Sequence, residues 1–306
     1  MRCHSLGQIF LIALACLVAA GVSRAGIESL VVPYTAIEDV VYGQKAGMGL
    51  TLDVLQPDEG AKGIGVILVS SGSWKSKKSN VQEDVDKRRQ DHWGMGLLHN
   101  GFTVFVVRHG TGPRFHVPEM IEDIRRSVRY VRLHASEYGI DPDNIGITSG
   151  SSGGHLALMV GMTGDDGNAE SKDLVERVSS RTQAIVSWFP PTDLINWGGK
   201  DGYKMIEKVR PGMFEEIFGS VTDLTEQLKS ISPIYQLTSD DPPLLLIHGE
   251  KDKTVPVQQS ELLNAKYEEA ELPVKLIVEP GGGHTYWSGI EKQYVDVGKW
   301  FDTYLD

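Results

Sequence analysis

A short apolar run at residues 145–148 leads directly into a turn of glycines and serines and then into a second apolar run at residues 155–160. A buried strand that passes at once into a helix is the repeating unit of a parallel sheet covered by helices. The turn, Gly150 to Gly154, has the pattern G-x-S-x-G with Ser152 at its centre. In a nucleophile elbow, glycines allow the helix to pack closely on the strand, and the central serine takes a strained conformation that exposes its hydroxyl.

This pattern predicts Ser152 as a nucleophile, and we expect Ser149 and Ser151 to point into the structure. The pattern alone leaves an alternative open. A glycine-rich turn between strand and helix can also cradle a phosphate, with Ser152 only capping the helix. The residues around the turn and the partners available to the serine must decide between the two.

Strand-like and helix-like segments alternate along most of the chain, which predicts an α/β fold with a mostly parallel, doubly wound sheet. An antiparallel hairpin is expected at one edge of this sheet. The expected strands are residues 37–42, 50–55, 65–69, 102–107, 145–148, 183–188, 243–247 and 274–278. The expected helices are residues 91–99, 118–138, 258–270 and 291–304, together with the helix that follows the elbow.

Between about residues 190 and 241 the alternation gives way to prolines, glycines and short amphipathic pieces that carry several aromatic side chains. We expect this segment to be a small cap insertion near the site; its aromatics are equally compatible with a local core. The chain has no linker-like, repetitive or low-complexity segment. Residues 26–306 are therefore predicted to form a single domain.

The N-terminus has the pattern of a secretory signal peptide, with Arg2 before an apolar run and small residues at Ser23 and Ala25. Cleavage is expected after Ala25, which makes residues 1–25 the signal peptide and the protein secreted or periplasmic. The apolar run is too short for a comfortable membrane span, so no stable membrane insertion is expected after cleavage. Both cysteines of the chain lie in this segment, so disulfides are not expected in the mature protein.

The net charge of −11 argues against a partner with a phosphate backbone, and nucleic acid is not expected. No cluster of His, Cys or carboxylate residues has convincing zinc spacing, and no G-x-G-x-x-G opens a helix. The sequence therefore predicts neither a metal nor another cofactor. It contains no pattern that indicates an oligomeric state.

A serine hydroxyl is a weak nucleophile at neutral pH and needs a base and a group that orients the base. Asp252 follows one predicted strand and His284 follows the next. Because the carboxyl ends of parallel strands share one edge of a sheet, we expect both side chains to converge on Ser152. His284 would be the base and Asp252 its partner, in the chain order Ser, Asp, His.

Other residues are less suited to these roles. Glu250 and Asp241 are weaker candidates for the acid, because neither occupies the fourth place after His248. His248 is expected to support the Asp252 loop from the strand end. His155, one turn into the helix, is expected to pack or cap.

From about residue 48 to 305 the chain resembles the α/β-hydrolase superfamily, and within it small secreted esterases related to acetyl esterases and bacterial feruloyl esterases. The sequence motifs that carry the resemblance are YGIDPD at 138–143, SGGHLA at 152–157, SPI at 232–234, HGEKD at 248–252 with VP at 255–256, and GH at 283–284. The resemblance implies an α/β-hydrolase fold and the same triad of Ser152, Asp252 and His284.

One loop departs from the family pattern. Where such esterases usually carry HGGGW after the first buried strand, this chain has SSGSW at residues 70–74. An oxyanion hole uses backbone N–H groups, so the change of side chains need not abolish it. Gly153 is the expected donor from the elbow, and Gly72 and Ser73 are the expected donors from the loop. A serine at positive φ would be strained, so this loop is expected to be shaped differently. Arg108-His109-Gly110 likewise replaces the usual Tyr-Arg.

Together these features predict a secreted serine ester hydrolase that works through an acyl-enzyme. The resemblance implies small acyl esters as substrates, acetyl or feruloyl groups on small molecules or on plant polysaccharide. Two alternatives remain open: a serine peptidase similar to the catalytic domain of prolyl oligopeptidases, and a catalytically silent binding protein of the same fold, which the altered 70–73 loop would suit.

Overall fold

The computed structural model describes residues 32–78, 93–209, 211–219, 224–285 and 287–305. The predicted signal peptide lies outside the described residues, as does the start of the helix predicted from residue 91. The strands of the sheet are β1 (Tyr34–Lys45), β2 (Met48–Pro57), β3 (Gly65–Val69), β4 (Thr103–Val107), β5 (Ile145–Gly150), β6 (Ala184–Trp188), β7 (Leu244–Gly249) and β8 (Val274–Glu279).

The α-helices in the described residues are α1 (Trp93–His99), α2 (Val117–Leu133), α3 (Ser152–Met162), α4 (Gly202–Val209), α5 (Met213–Phe218), α6 (Leu224–Ser230), α7 (Gln258–Glu269) and α8 (Glu291–Tyr304). The closing helix has the predicted bounds. The helix predicted to continue to Tyr138 instead ends at Leu133, and Ala135–Tyr138 form a separate 3-10 turn. Gly139 ends that turn in the left-handed conformation, with φ of 64°.

The strands form one sheet in the order β1-β2-β4-β3-β5-β6-β7-β8. β1 and β2 pair antiparallel, as do β2 and β4, and each remaining pair is parallel. The predicted hairpin is thus present at one edge, with both strands longer than expected. After β3 the chain runs outward to β4 and then returns to β5 on the other side. This reversal makes the carboxyl ends of β3 and β5 the topological switch point, where ligand crevices form in such sheets.

Apolar side chains bury both faces of the sheet, as a mostly parallel sheet requires. Helices α1 and α8 pack against each other on one face, where Phe102, Val104 and Phe301 are fully buried. Helices α2, α3 and α7 contribute to the core of the other face, which includes Met120, Leu156 and Leu263. The central strands are therefore held from both sides, and the loops at their ends start from fixed positions.

The segment that was expected to be a cap contains α4, α5 and α6. Its aromatic side chains contribute to a local core: Phe214 and Phe218 are buried with ring centroids 4.7 Å apart. Phe218 also packs edge-on against Trp74, in the loop after β3, with ring centroids 5.5 Å apart. The segment thus lies against that loop, and its role as a cap stays a prediction.

A buried ion pair joins the antiparallel strands to the parallel part of the sheet. Arg108, directly after β4, binds Asp53 of β2 through its guanidinium, and the two side chains are 9% and 4% exposed. Arg108 Nη1 also donates to the Thr51 hydroxyl at 3.1 Å, and the N–H of Asp39 donates to Asp53 at 2.9 Å. Arg108 therefore has a structural contact that fixes the β2–β4 edge.

We expect Asp53→Ala to lower the free energy of unfolding by about 3 to 5 kcal/mol, because it removes the buried partner of Arg108 and leaves only the exposed Asp39, 3.7 Å away, as a counter-charge. Urea denaturation measures this change. Asp302→Ala is the matched control: its pair with Lys62 is exposed, and we expect a change of no more than about 1 kcal/mol. Equal stabilities of Asp53→Ala and the wild type would contradict this role for the pair.

Candidate functional site

The turn between β5 and α3 holds Ser151 in a strained conformation, with φ of 53° and ψ of −127°. Positive φ is uncommon outside glycine and persists only where the surrounding structure enforces it. Hydrogen bonds fix Ser151 on both sides: its N–H donates to the Trp188 carbonyl at 2.9 Å, and its carbonyl accepts from the N–H of His155 at 2.9 Å. This backbone is the conformation that was expected at the elbow serine, but it lies one residue earlier.

The hydroxyl of Ser151 lies 2.9 Å from Nε2 of His284, and Nδ1 of His284 lies 2.6 Å from Oδ2 of Asp252. The three side chains form a continuous chain of hydrogen bonds from three strand ends. In the neutral imidazole, Nδ1–H donates to the carboxylate and Nε2 accepts from the serine. This is the geometry of a serine activated by an oriented base.

The structure corrects the choice of Ser152. Ser152 is only 1% exposed, and its hydroxyl lies 3.3 Å from that of Ser71 rather than beside His284. Ser149 does point inward as expected, and its hydroxyl donates to the Val69 carbonyl at 2.6 Å. Ser151, which was expected to point inward, faces His284 instead.

Close packing explains why the elbow serine is Ser151, one residue before the expected Ser152. A Cβ on Gly153 would lie 2.2 Å from the Ser149 hydroxyl oxygen, and a Cβ on Gly154 would lie 2.6 Å from that of Ser187. The glycines needed for close approach of α3 to the sheet are therefore those two and three residues after Ser151. At the opposite end of the motif, two residues before Ser151, the turn accommodates Ser149 in place of a glycine.

Asp252 is held as an ionised carboxylate. Its Oδ1 accepts from the N–H groups of Thr254 and Val255 at 2.8 and 2.9 Å, and its Oδ2 accepts from His284 and lies 3.3 Å from Nε2 of His248. Burial acts to raise the pKa of Asp252, but the hydrogen bonds from His248 and His284 outweigh it and hold the pKa well below its usual range. The carboxylate therefore stays charged and can stabilise an imidazolium.

His248 lies where the sequence predicted a support for the Asp252 loop. It is fully buried at the end of β7, Nε2 lies 2.9 Å from the Val255 carbonyl, and Nδ1 lies 2.7 Å from the Ser260 hydroxyl. The two weaker acid candidates lie elsewhere in the hydrogen-bond network. Glu250 accepts from the N–H of Gly281, and Asp241 binds the Thr238 hydroxyl.

Phe189 is a site residue that sequence reasoning missed. It follows β6 directly, has φ of 38°, and packs its ring on that of His284 with centroids 4.8 Å apart. The rule that parallel strand ends meet at one edge could have indicated it, since it occupies the same place after β6 that Ser151 occupies after β5.

The loop after β3 makes a tight turn at the edge of the site. The N–H of Gly72 donates to the Lys75 carbonyl at 2.9 Å, and the N–H of Lys75 donates back to Gly72 at 3.0 Å. Ser73 and Trp74, between them, have φ of 51° and 55°, as both central residues of a type I′ turn require. The strain expected for serine in this loop is thus present.

This turn corrects one expected oxyanion donor. The N–H of Gly72 is already bonded within the turn, so it cannot point at a reacting carbonyl. Ser73 lies beside the site, and its N–H stays a candidate donor. Gly153 was expected as the donor because it follows Ser152. With Ser151 facing His284, the corresponding candidate is the N–H of Ser152, the residue that follows Ser151.

A cavity of about 250 Å³ opens between this loop, the elbow and His284. It lies at the carboxyl ends of β3 and β5, the switch point of the sheet. Its lining is rich in hydroxyl groups and small residues: Leu68, Val69, Ser70, Ser71, Gly72, Ser73, Val106, Ser149, Gly150, Ser151, Phe189, His284 and Thr285.

His155 connects the β3 loop to the segment after α6. Its Nδ1 accepts from the indole N–H of Trp74 at 3.1 Å, and its Nε2–H donates to the Ile231 carbonyl at 2.7 Å. Both ring nitrogens are therefore used by a neutral imidazole, which packs as the sequence predicted. Burial lowers the pKa of His155 to about 4. His109, buried after β4, has its pKa lowered to about 4 by the same cause.

The described residues contain no cluster of three or more His, Cys, Asp or Glu arranged to hold a metal ion. Within the same residues, each helix falls short of the length and apolar character needed to cross a membrane.

His109 and His155, whose pKa values are lowered by burial, give the protein a pH-dependent stability. Between pH 6.5 and about 4 the unfolded chain protonates them while the folded protein does not, so the free energy of unfolding falls as the pH falls. We expect His155→Gln, whose amide can keep both hydrogen bonds, to reduce the loss between pH 7 and pH 5 by roughly 1 to 2 kcal/mol. Urea denaturation at the two pH values measures the free energy of unfolding of each protein. If the variant loses as much stability as the wild type between pH 7 and pH 5, this would contradict a neutral buried His155.

Comparison with known proteins places this site in a family. The sequence model of the BD-FAE family matches residues 52–267. Among curated proteins, the chain is 30% identical to the probable carboxylic ester hydrolase LipM of Mycobacterium tuberculosis, over 72% of this chain and 49% of that protein. It is also 30% identical to esterase LipQ of the same organism, over 76% of this chain and 52% of that protein. The chain thus spans about half the length of these curated relatives.

Among solved structures, a truncated carbohydrate esterase from gut microbiota superimposes with a TM-score of 0.68 at 26% identity, covering 88% of this chain and 95% of that one. The names of these relatives agree with the enzyme class that the sequence predicts. The structural match to the gut esterase confirms the predicted fold. The chain belongs to the BD-FAE family and has the α/β-hydrolase fold.

Proposed function

We propose that the protein is a secreted serine hydrolase of carboxylic esters, with Ser151 as nucleophile, His284 as general base and acid, and Asp252 as the carboxylate that orients His284. The observation that carries this proposal is the 2.9 Å contact between the Ser151 hydroxyl and Nε2 of His284, made by a serine in a strained elbow. Membership of the BD-FAE family and the names of the relatives support it.

In the first half-reaction Ser151 Oγ attacks the ester carbonyl carbon while its proton passes to Nε2 of His284. The carbonyl electron pair moves onto oxygen, and backbone N–H groups stabilise that negative charge. The carbon–oxygen bond to the alcohol then breaks, and His284 gives its proton to the leaving alcohol. Asp252, ionised and buried, stabilises the imidazolium between these two steps.

In the second half-reaction water is the nucleophile and attacks the acyl-enzyme. His284 takes a proton from the water as it attacks the acyl carbon, and the Ser151 oxygen leaves with that proton. The products are the carboxylic acid and the regenerated serine. Both half-reactions use the same base and the same donors, so a single rigid site serves both.

For the substrate we propose small acyl esters, of acetyl or feruloyl type, carried by small molecules or by polysaccharide. The compact cavity of about 250 Å³ is compatible with a small acyl group. The gut carbohydrate esterase supports a carbohydrate as the alcohol part. Initial rates on p-nitrophenyl esters from acetate to laurate, beside acetylated xylan and methyl ferulate, test this choice. A maximum at long chains would contradict it.

We propose secretion on the pattern of residues 1–25. N-terminal sequencing of the protein expressed in a secreting host tests it. The expected mature N-terminus is Gly26, and an intact Met1 in the exported fraction would contradict cleavage after Ala25.

Two alanine variants distinguish the neighbouring serines. We expect Ser151→Ala to lower kcat on p-nitrophenyl acetate by about 10³-fold or more, because it removes the nucleophile. We expect Ser152→Ala to lower it by less than about tenfold, because its backbone N–H is retained. Circular dichroism of both variants checks that each is folded.

The opposite ranking of the two variants would make Ser152 the nucleophile. Cleavage of Pro-linked peptides without any ester hydrolysis would favour a peptidase. A folded wild-type protein that hydrolyses neither substrate would favour a binding protein.

The loop that carries His284 rests against the end of β7. A Cβ on Gly249 would lie 2.3 Å from the Gly283 carbonyl oxygen and 2.5 Å from the carbonyl carbon of Gly282, so Gly249→Ala must displace this loop. A displacement of about 1 Å can reduce a rate by about 10²-fold, and we expect a loss of this size in kcat on p-nitrophenyl acetate.

Gly49→Ala is the matched control, because its Cβ would meet only Val41 side-chain atoms at ordinary contact distances of 3.8 and 3.9 Å. We expect this control to keep wild-type kcat. Full activity in Gly249→Ala would show that the position of His284 does not depend on this contact.

A further inference from the structure

The β3 loop offers fewer backbone donors than a glycine-rich loop would. Gly72 uses its N–H within the turn, bonded to Lys75. A tetrahedral oxyanion needs more than one preorganised donor, placed where the charge develops. The elbow supplies the N–H of Ser152, at the start of α3, which has no partner within the helix. Beside the N–H of Ser73, which stays a candidate, a side-chain hydroxyl of the loop can supply a further donor.

Ser71 has a side chain in the right place to be that donor. It lines the cavity together with Ser151 and His284, and it directly precedes Gly72. Its hydroxyl oxygen lies 3.3 Å from that of Ser152, the residue that follows the elbow serine. The Ser71 hydroxyl thus lies beside the elbow and at the cavity that Ser151 and His284 also line.

Either hydroxyl can donate in the contact between Ser71 and Ser152, and one of the two arrangements leaves the proton of Ser71 available. A hydroxyl donates one hydrogen bond and accepts up to two. With Ser152 Oγ–H donating to Ser71 Oγ, the Ser71 proton is free to turn into the cavity. The hydrogen bond that Ser71 accepts polarises its O–H and strengthens it as a donor.

We propose that the Ser71 hydroxyl donates a hydrogen bond to the oxyanion formed during ester hydrolysis, beside the N–H of Ser152; this inference rests on the proposed function. Ser71 keeps its own proton throughout. The proton that moves is that of Ser151, which passes to His284, while the carbonyl electron pair becomes the oxyanion that Ser71 and Ser152 bind. Ser71 is in this sense a catalytic residue of the loop that carries serines in place of glycines.

A hydrogen bond to the oxyanion and a purely structural role of Ser71 have different effects on the kinetic constants. A donor aimed at the oxyanion acts on kcat and leaves KM nearly unchanged, whereas a residue that only shapes the cavity changes KM. A donor to the oxyanion also stabilises tetrahedral adducts, such as the one that a boronic acid forms with the elbow serine. These two readouts distinguish a hydrogen bond to the oxyanion from a structural role.

The test compares Ser71→Ala, Ser71→Thr and Ser76→Ala in the full-length protein. We expect Ser71→Ala to lower kcat on p-nitrophenyl acetate by about 10²-fold and to weaken inhibition by methylboronic acid by a similar factor, with KM changed less than about threefold. Ser71→Thr restores the hydroxyl and should recover much of the rate. Ser76→Ala, in the same loop but outside the cavity lining, should match the wild type.

A Ser71→Ala protein with wild-type kcat and boronic acid inhibition would overturn the proposal and leave the proposed function standing. A wild-type protein without Ser151-dependent ester hydrolysis would overturn both. If Ser71→Ala does not fold, Ser71→Cys takes its place. A thiol is a weak donor, so the same loss of kcat is expected, and a wild-type rate would again overturn the proposal.

Discussion

A serine held at positive φ where β5 passes into α3 is the constraint on which the site depends. The strain is maintained because the helix must begin immediately, pressed against the sheet at Gly153 and Gly154, where no Cβ would fit. The same geometry points Ser151 outward and frees the first N–H groups of α3. In the proposed mechanism, one local conformation therefore provides both the nucleophile and a place for the negative charge.

Three other strained residues lie in loops around the site. Among non-glycine residues with positive φ, Ser73 and Trp74 form the turn after β3, and Phe189 packs on His284 after β6. Backbone strain of this kind typically costs about 1 to 3 kcal/mol at each residue and persists only where packing enforces it. Here the enforcing contacts are visible: Trp74 is bonded to the buried His155 and packed on Phe218. The loop is thus fixed before any substrate arrives.

Much of this architecture could be predicted from the sequence, because the signals were local. Apolar runs of five or six residues between helical patterns fixed the strands, and β3 and α8 have the expected bounds. Asp252 and His284 were found because parallel strand ends share an edge. The contact between them needed no knowledge of loop shape.

The exact nucleophile could not be predicted in this way, because the stretch of glycines and serines at 149–154 can be aligned with the motif in two ways. The packing of Gly153 against Ser149 and the contact of Ser151 with His284, both properties of the folded protein, favour one alignment. The bond that occupies the N–H of Gly72 is likewise a property of the folded turn and leaves no pattern in the sequence.

The central claim is that Ser151, and not its neighbour, carries the acyl group. A reactive p-nitrophenyl phosphonate ester forms a stable adduct with an activated serine, and tandem mass spectrometry of the labelled peptide locates the modified residue. The account predicts a single adduct on Ser151 that forms in the wild type and is lost in His284→Ala. An adduct on Ser152, or labelling of Ser151 at an undiminished rate without His284, would contradict it.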